Sequence, residues 1–161
     1  MSPIERSGGG SGSGTGAGTE IAYSQITAPV NVVSLAEATG TTIISPGAIT
    51  FDGAAVMCEF HGRVVLGQST VSTDFLFVSL FEGATQIQRI GAFISNVAAA
   101  TLFATFESVT LDCSFRFTPT AGSHTYTVTA FVNSTTGTPS VRADTGGAGG
   151  DGPAFVRFTK V

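Results

Sequence analysis

The sequence predicts an all-β chain: a jelly-roll-like antiparallel β-sandwich of eight to ten strands with a glycine-rich N-terminal extension. Three observations predict it. Thr, Val and Ile supply 23, 15 and 9 of the 161 residues, and branching at Cβ favours extended backbone. Only 11% of the residues are charged and 6 are Leu. An ordinary domain has about 25% charge, so a helical bundle is excluded. Turn residues recur about every ten positions from residue 27 onward, the spacing of a sandwich or barrel.

The elements follow in order. Residues 7–19 read SGGGSGSGTGAGT and hold seven of the 21 glycines. Such a stretch has little to bury and high backbone entropy, so it reads as a tether. Before it lies a short peptide in which Pro3, Ile4 and Arg6 are the expected assembly-docking residues. The domain division is therefore 1–19 for docking peptide and tether, and 20–161 for the head. Residues 21–27 form a first strand that 31–35 extend, and 35–38 allow one helical turn. Ile43 and Ile44 precede a Ser45-Pro46-Gly47 turn, and 49–51 precede the turn dipeptide Asp52-Gly53.

Residues 55–65 alternate. Val56, Cys58, Phe60 and Val64 share one face, while Met57, Glu59, His61 and Arg63 share the other, the pattern of a half-buried strand. Residues 75–81 are apolar on both faces except at Ser79, so this strand is central and covered on both sides, or it faces a partner subunit. Residues 85–94 return as a hairpin. Residues 96–101 fit a loop or one helical turn. Residues 103–118 read as one long strand or two with a bulge, and 119–123 as a turn. Along 125–132, Tyr126, Val128, Ala130 and Val132 point inward and the threonines outward. Residues 133–137 turn into 139–143, and 146–152 form a second glycine-rich loop. The last strand, 154–161, must lie inside a sheet, or its apolar face would meet water.

Charge excludes several function classes. The formal charge is −4 and the seven basic residues are scattered singly. A nucleic-acid partner needs clustered Lys and Arg, and insertion into a membrane needs a long apolar span; neither is present. No export signal is legible, so Cys58 and Cys113 are expected as buried thiols, although one disulfide between them is the alternative. No catalytic or cofactor-binding residue is assigned and no cofactor is expected. His61 and His124 read as exposed surface imidazoles. Glu59, His61 and Arg63 could pair with charges across the sheet. Gly146-Gly147-Ala148-Gly149-Gly150-Asp151 matches a calcium β-roll repeat, but a single copy lacks the stacked neighbour that shares the ion, so no metal site is expected. The 13 Phe with no Trp fit one monomer's core or an oligomer's buried face.

Several stretches resemble small structural proteins of tailed bacteriophages, especially those of actinobacteria. They are Thr19-Glu20-Ile21-Ala22-Tyr23, the run from Ser45 to Gly53, Ser79-Leu80-Phe81-Glu82-Gly83, the run from Phe117 to Tyr126, and the run from Gly152 to Val161. None is a catalytic motif. The resemblance implies a β-sandwich head like those of tumour necrosis factor and complement globular heads, usually trimeric. It also implies a place in the virion, with other virion proteins as partners and synthesis in the host cytoplasm. The leading expectation is a non-enzymatic minor tail or tail-tip protein presenting a homotrimeric head. A capsid decoration protein or head fibre is the alternative. From another class, a module binding host cell-surface glycan would use loops 65–74, 133–139 and 144–152.

Overall fold

The computed structural model describes residues 16–66, 73–95, 107–146 and 150–161. The docking residues Pro3, Ile4 and Arg6 lie outside them, as do 96–101 and the start of the strand expected from 103. Ten strands are described: β1 (Glu20–Ile26), β2 (Val30–Asn31), β3 (Thr41–Asp52), β4 (Val56–Leu66), β5 (Asp74–Glu82), β6 (Thr85–Ser95), β7 (Glu107–Phe117), β8 (Ala121–Val132), β9 (Ser140–Arg142) and β10 (Ala154–Lys160). A single turn of 3-10 helix covers Glu37–Thr39. Among the described residues no helix is long and apolar enough to cross a membrane.

Every strand pair is antiparallel. In sheet I, β4 pairs with β7 along one side over its whole length. Along its other side it pairs first with β10 through 56–61 and then with β9 through 63–65. Outside these, β1 flanks β10 and β2 flanks β9. The six strands of sheet I therefore occupy four columns. Sheet II has the order β3-β8-β5-β6. The chain passes back and forth between the two sheets, and the eight columns interleave as a jelly roll does. The last strand lies between β1 and β4, inside its sheet, because Val156 and Phe158 have no other way to leave water.

The core lies between the sheets. Val56, Cys58, Phe60 and Val64 of β4 face Leu76, Val78 and Leu80 of β5 and Tyr126, Val128, Ala130 and Val132 of β8, all buried. The period-two alternation puts each set on one face. At the centre the Tyr126 ring lies 5.8 Å from Phe51, 5.8 Å from Phe117 and 5.5 Å from Phe158. Burial, with the Glu82 carboxylate nearby, pushes the Tyr126 phenol up to about 12.

Four local expectations are corrected. Ser45-Pro46-Gly47 is not a turn: β3 runs through it and absorbs the surplus residues as two register shifts against β8. Gly47, at φ 82°, supplies the backbone that a bulge requires. β2 stops at Asn31 instead of running to 35, since the next residues leave the sheet edge and cross towards β8, where the Val132 amide donates to the Ser34 carbonyl. The turn expected over 119–123 is shorter, because β8 already begins at Ala121. Both cysteines are free, but only Cys58 is fully buried; Cys113 is intermediate. Burial pushes the Cys58 thiol up to about 12.

Candidate functional site

The alternation that buries one side of β4 sends Glu59, His61, Arg63 and Val65 to the outer side of sheet I. Antiparallel register then decides what each one meets. Arg157 lies opposite Glu59, and its Nε donates to Glu59 Oε2 at 2.7 Å. Asp112 lies opposite His61, with Oδ1 3.2 Å from Nδ1. Phe155 stacks on the His61 ring at 5.3 Å, and Tyr23 of β1 lies against Phe155. Arg63 pairs with Asp151 and donates through Nη2 to Ser108 Oγ at 2.9 Å. Each of the three polar residues expected to find a partner across the sheet has one.

At the β2–β9 end this face hollows into a cleft of about 330 Å³. Arg63 and Val65 of β4 and Ser108 of β7 line one part; Asn31, Ser140, Arg142 and Thr138 line the rest. Register sets Arg63 directly opposite Arg142, an arrangement of like charges that repels. Asp151 answers both, as a direct pair with Arg63 and at 3.9 Å from Arg142 Nε. Thr138, at φ 59°, is the sole non-glycine with positive φ among the described residues. A β-branched side chain in that region is strained. Of the three loops expected to serve a glycan site, 133–139 lines the cleft through Thr138, 144–152 lends it no lining residue but pairs Asp151 with its two arginines, and most of 65–74 lies outside the described residues. Sequence reading missed Arg142, Ser108 and Asn31, since only register brings them beside Arg63.

The outer side of sheet II is different. Phe77 lies opposite Phe131, and Phe75 joins them with ring centroids 4.6 Å from Phe77 and 5.7 Å from Phe131. Ile94, opposite Phe75, is 53% exposed. The Arg89 guanidinium sits 4.1 Å above the Phe77 ring. It is held there by Glu37 of the crossing segment, whose carboxylate also accepts from Gln86 and from the buried Ser79. The Arg89 hydrogen bond holds the Glu37 carboxyl below its usual range.

His124 is not the exposed imidazole the sequence suggested; its side chain is 12% exposed. Nδ1 faces Glu82 Oε1 and Nε2 faces the Thr120 carbonyl at 2.9 Å. Both partners are acceptors, so the doubly protonated ring fits best, and the Glu82 hydrogen bond raises its pKa. Thr120 Oγ1 lies 3.3 Å from Nε2, which completes a Glu-His-Thr line. With both nitrogens donating, the ring has no lone pair with which to act as base in that state. Among the described residues no group of three or more His, Cys, Asp or Glu converges to hold a metal ion. Asp151 of the β-roll-like loop is engaged with arginines instead.

No family model matches the chain, and no curated protein matches its sequence. Solved structures do match. The Eiger tumour necrosis factor of S. frugiperda is similar at 8% identity and TM-score 0.48, over 89% of this chain and 93% of that one. Murine APRIL gives 13% identity and TM-score 0.41 over 87% and 98%. A carbohydrate-binding module of Cellvibrio mixtus lichenase 5A, solved with cellotriose, gives 11% and 0.35 over 90% and 92%. The fold is a jelly-roll β-sandwich. Its two sheets and their interleaved strand order make it one.

Proposed function

We propose that this chain is a non-enzymatic virion protein of a tailed bacteriophage, a minor tail or tail-tip component whose head works as a homotrimer. The particle comes from the sequence resemblance. The observation that carries the oligomeric head is the outer side of sheet II. A face turned to water usually alternates polar residues there, yet Phe75, Phe77 and Ile94 stand on it only partly covered. A second copy of the chain is the occupant we assign to it. The tether suits the same role. The Gly18 amide donates to the Lys160 carbonyl and the Lys160 amide to the Thr19 carbonyl, so the leader departs beside the C-terminus at a sheet edge. A head held this way gains avidity from several weak contacts.

Mass analysis of purified particles tests the placement. A few copies per particle support the tail reading. Hundreds of copies would point to the alternative, a capsid decoration protein or head fibre, and absence from particles would overturn both. A second reading, a module for host-surface glycan, is favoured by the cleft that Thr138 of loop 133–139 lines and whose arginines pair with Asp151 of loop 144–152.

A further inference from the structure

We infer that the cleft on sheet I takes the carboxylate of an acidic sugar, a uronic-acid unit, between Arg142 and Arg63. The inference rests on the glycan reading of the cleft and not on the particle. Its first support is charge. Two guanidiniums share one carboxylate here, and Asp151 lies closer to Arg63 than to Arg142. Among the described residues Arg142 donates no hydrogen bond, while Arg63 is already committed to Asp151 and Ser108. The internal segments 67–72, 96–106 and 147–149 contain no Asp, Glu, Lys or Arg, so none of them brings a further counter-charge. Asp144, two residues from Arg142, keeps its charge but makes no ion pair with either arginine among the described residues; its Oδ1 accepts from the Thr145 amide at 2.6 Å. The two guanidiniums that line the cleft thus share the single paired carboxylate of Asp151, on a chain whose formal charge is −4. That overall charge repels anions in general, so an anion held here must be held by local geometry.

The second support is shape and lining. A guanidinium fork matches a planar carboxylate through two parallel hydrogen bonds. Arg142 is 48% exposed along its side chain and can turn its fork to a ligand without crossing the core. Ser108 accepts from Arg63, which leaves its own hydroxyl proton to donate. With Asn31 and Thr138 it supplies neutral partners for sugar hydroxyls, while the buried Val65 closes the floor of the cleft. The volume, about 330 Å³, is at the small end of ligand clefts, suited to one ring and not to a polymer buried along its length.

Titration of the full chain with glucuronate, glucose and inorganic phosphate, followed by amide chemical shifts, tests this. Saturable binding of glucuronate is expected, with glucose weaker by about tenfold or more, the share of a charge-assisted hydrogen bond, and phosphate weaker as well. Arg142→Ala should lose about tenfold in glucuronate affinity. Asp151→Asn should bind more tightly, because it frees Arg63. Equal binding of glucose and glucuronate, or an unchanged Arg142→Ala, would overturn the inference. Phosphate binding as tight as glucuronate would overturn its sugar part. Should Arg142→Ala not fold, the direction of the Asp151→Asn effect decides. Presence or absence of the chain in particles has no bearing on these outcomes.

Discussion

The two outer sides of the sandwich meet water by different means. Sheet I pairs charge with charge across its strands, as in Glu59 with Arg157 and His61 with Asp112. Sheet II gathers Phe75, Phe77 and Phe131 and lays one arginine over them, anchored by Glu37 from a crossing segment. Exposed ion pairs contribute little to stability, about 0–1 kcal/mol, but they leave a face wettable and open to a polar ligand. Clustered aromatic rings contribute more and leave a face that gains by being covered. One side is thus wettable as it stands, and the other would gain by being covered.

The largest test of this contrast lies beneath both faces. Phe158→Ala removes the ring that touches Phe51, Phe117 and Tyr126 and should cost about 3–5 kcal/mol in urea unfolding. Next comes the covered side. A Cβ at Gly40 would meet Thr129 Oγ1 at 2.8 Å and the Ala130 carbonyl at 3.2 Å. Gly40→Ala should therefore destabilise by about 1–3 kcal/mol by lifting the crossing segment from sheet II. A smaller change under the same denaturant would detach that segment from the stability of the sheet.

Two pH limbs sharpen the comparison. Glu37 has a lowered pKa in the fold. Its contribution is present above its ordinary value of 4.5 and lost as pH falls through the folded value. Glu37→Gln should flatten the acid limb of a melting-temperature profile. His124 has a raised pKa, so the sign reverses. Its contribution is complete below 6.5 and is lost as pH rises through the folded value. His124→Asn should remove that decline on the alkaline side and leave the acid limb as it was. The smallest effect belongs to the solvated side. Asp112 is 81% exposed, and Asp112→Asn should change stability by less than about 0.5 kcal/mol.

Much of the fold was legible because alternation is a local signal. Val56 to Val64, Tyr126 to Val132 and the terminal strand each announced their buried side, and each lies where alternation placed it. The bulge at Gly47 was not legible, since Ser-Pro-Gly is equally a turn and only the partner β8 makes β3 continuous. The cleft was half legible. Glu59, His61 and Arg63 stood out on one strand face, but Arg142 and Ser108 lie far away in sequence and arrive through register alone. His124 was misjudged for the same reason: Glu82 is 42 residues away, and nothing local marks the pair.

The account depends most on sheet II being a face for further copies of the chain. Sedimentation equilibrium of the full chain at micromolar concentration measures this directly. The account predicts a species of about three times 16.3 kDa, reduced to one by Ile94→Asp with the fold retained. A wild-type chain that stays at its monomer mass, or a trimer indifferent to Ile94→Asp, would contradict it.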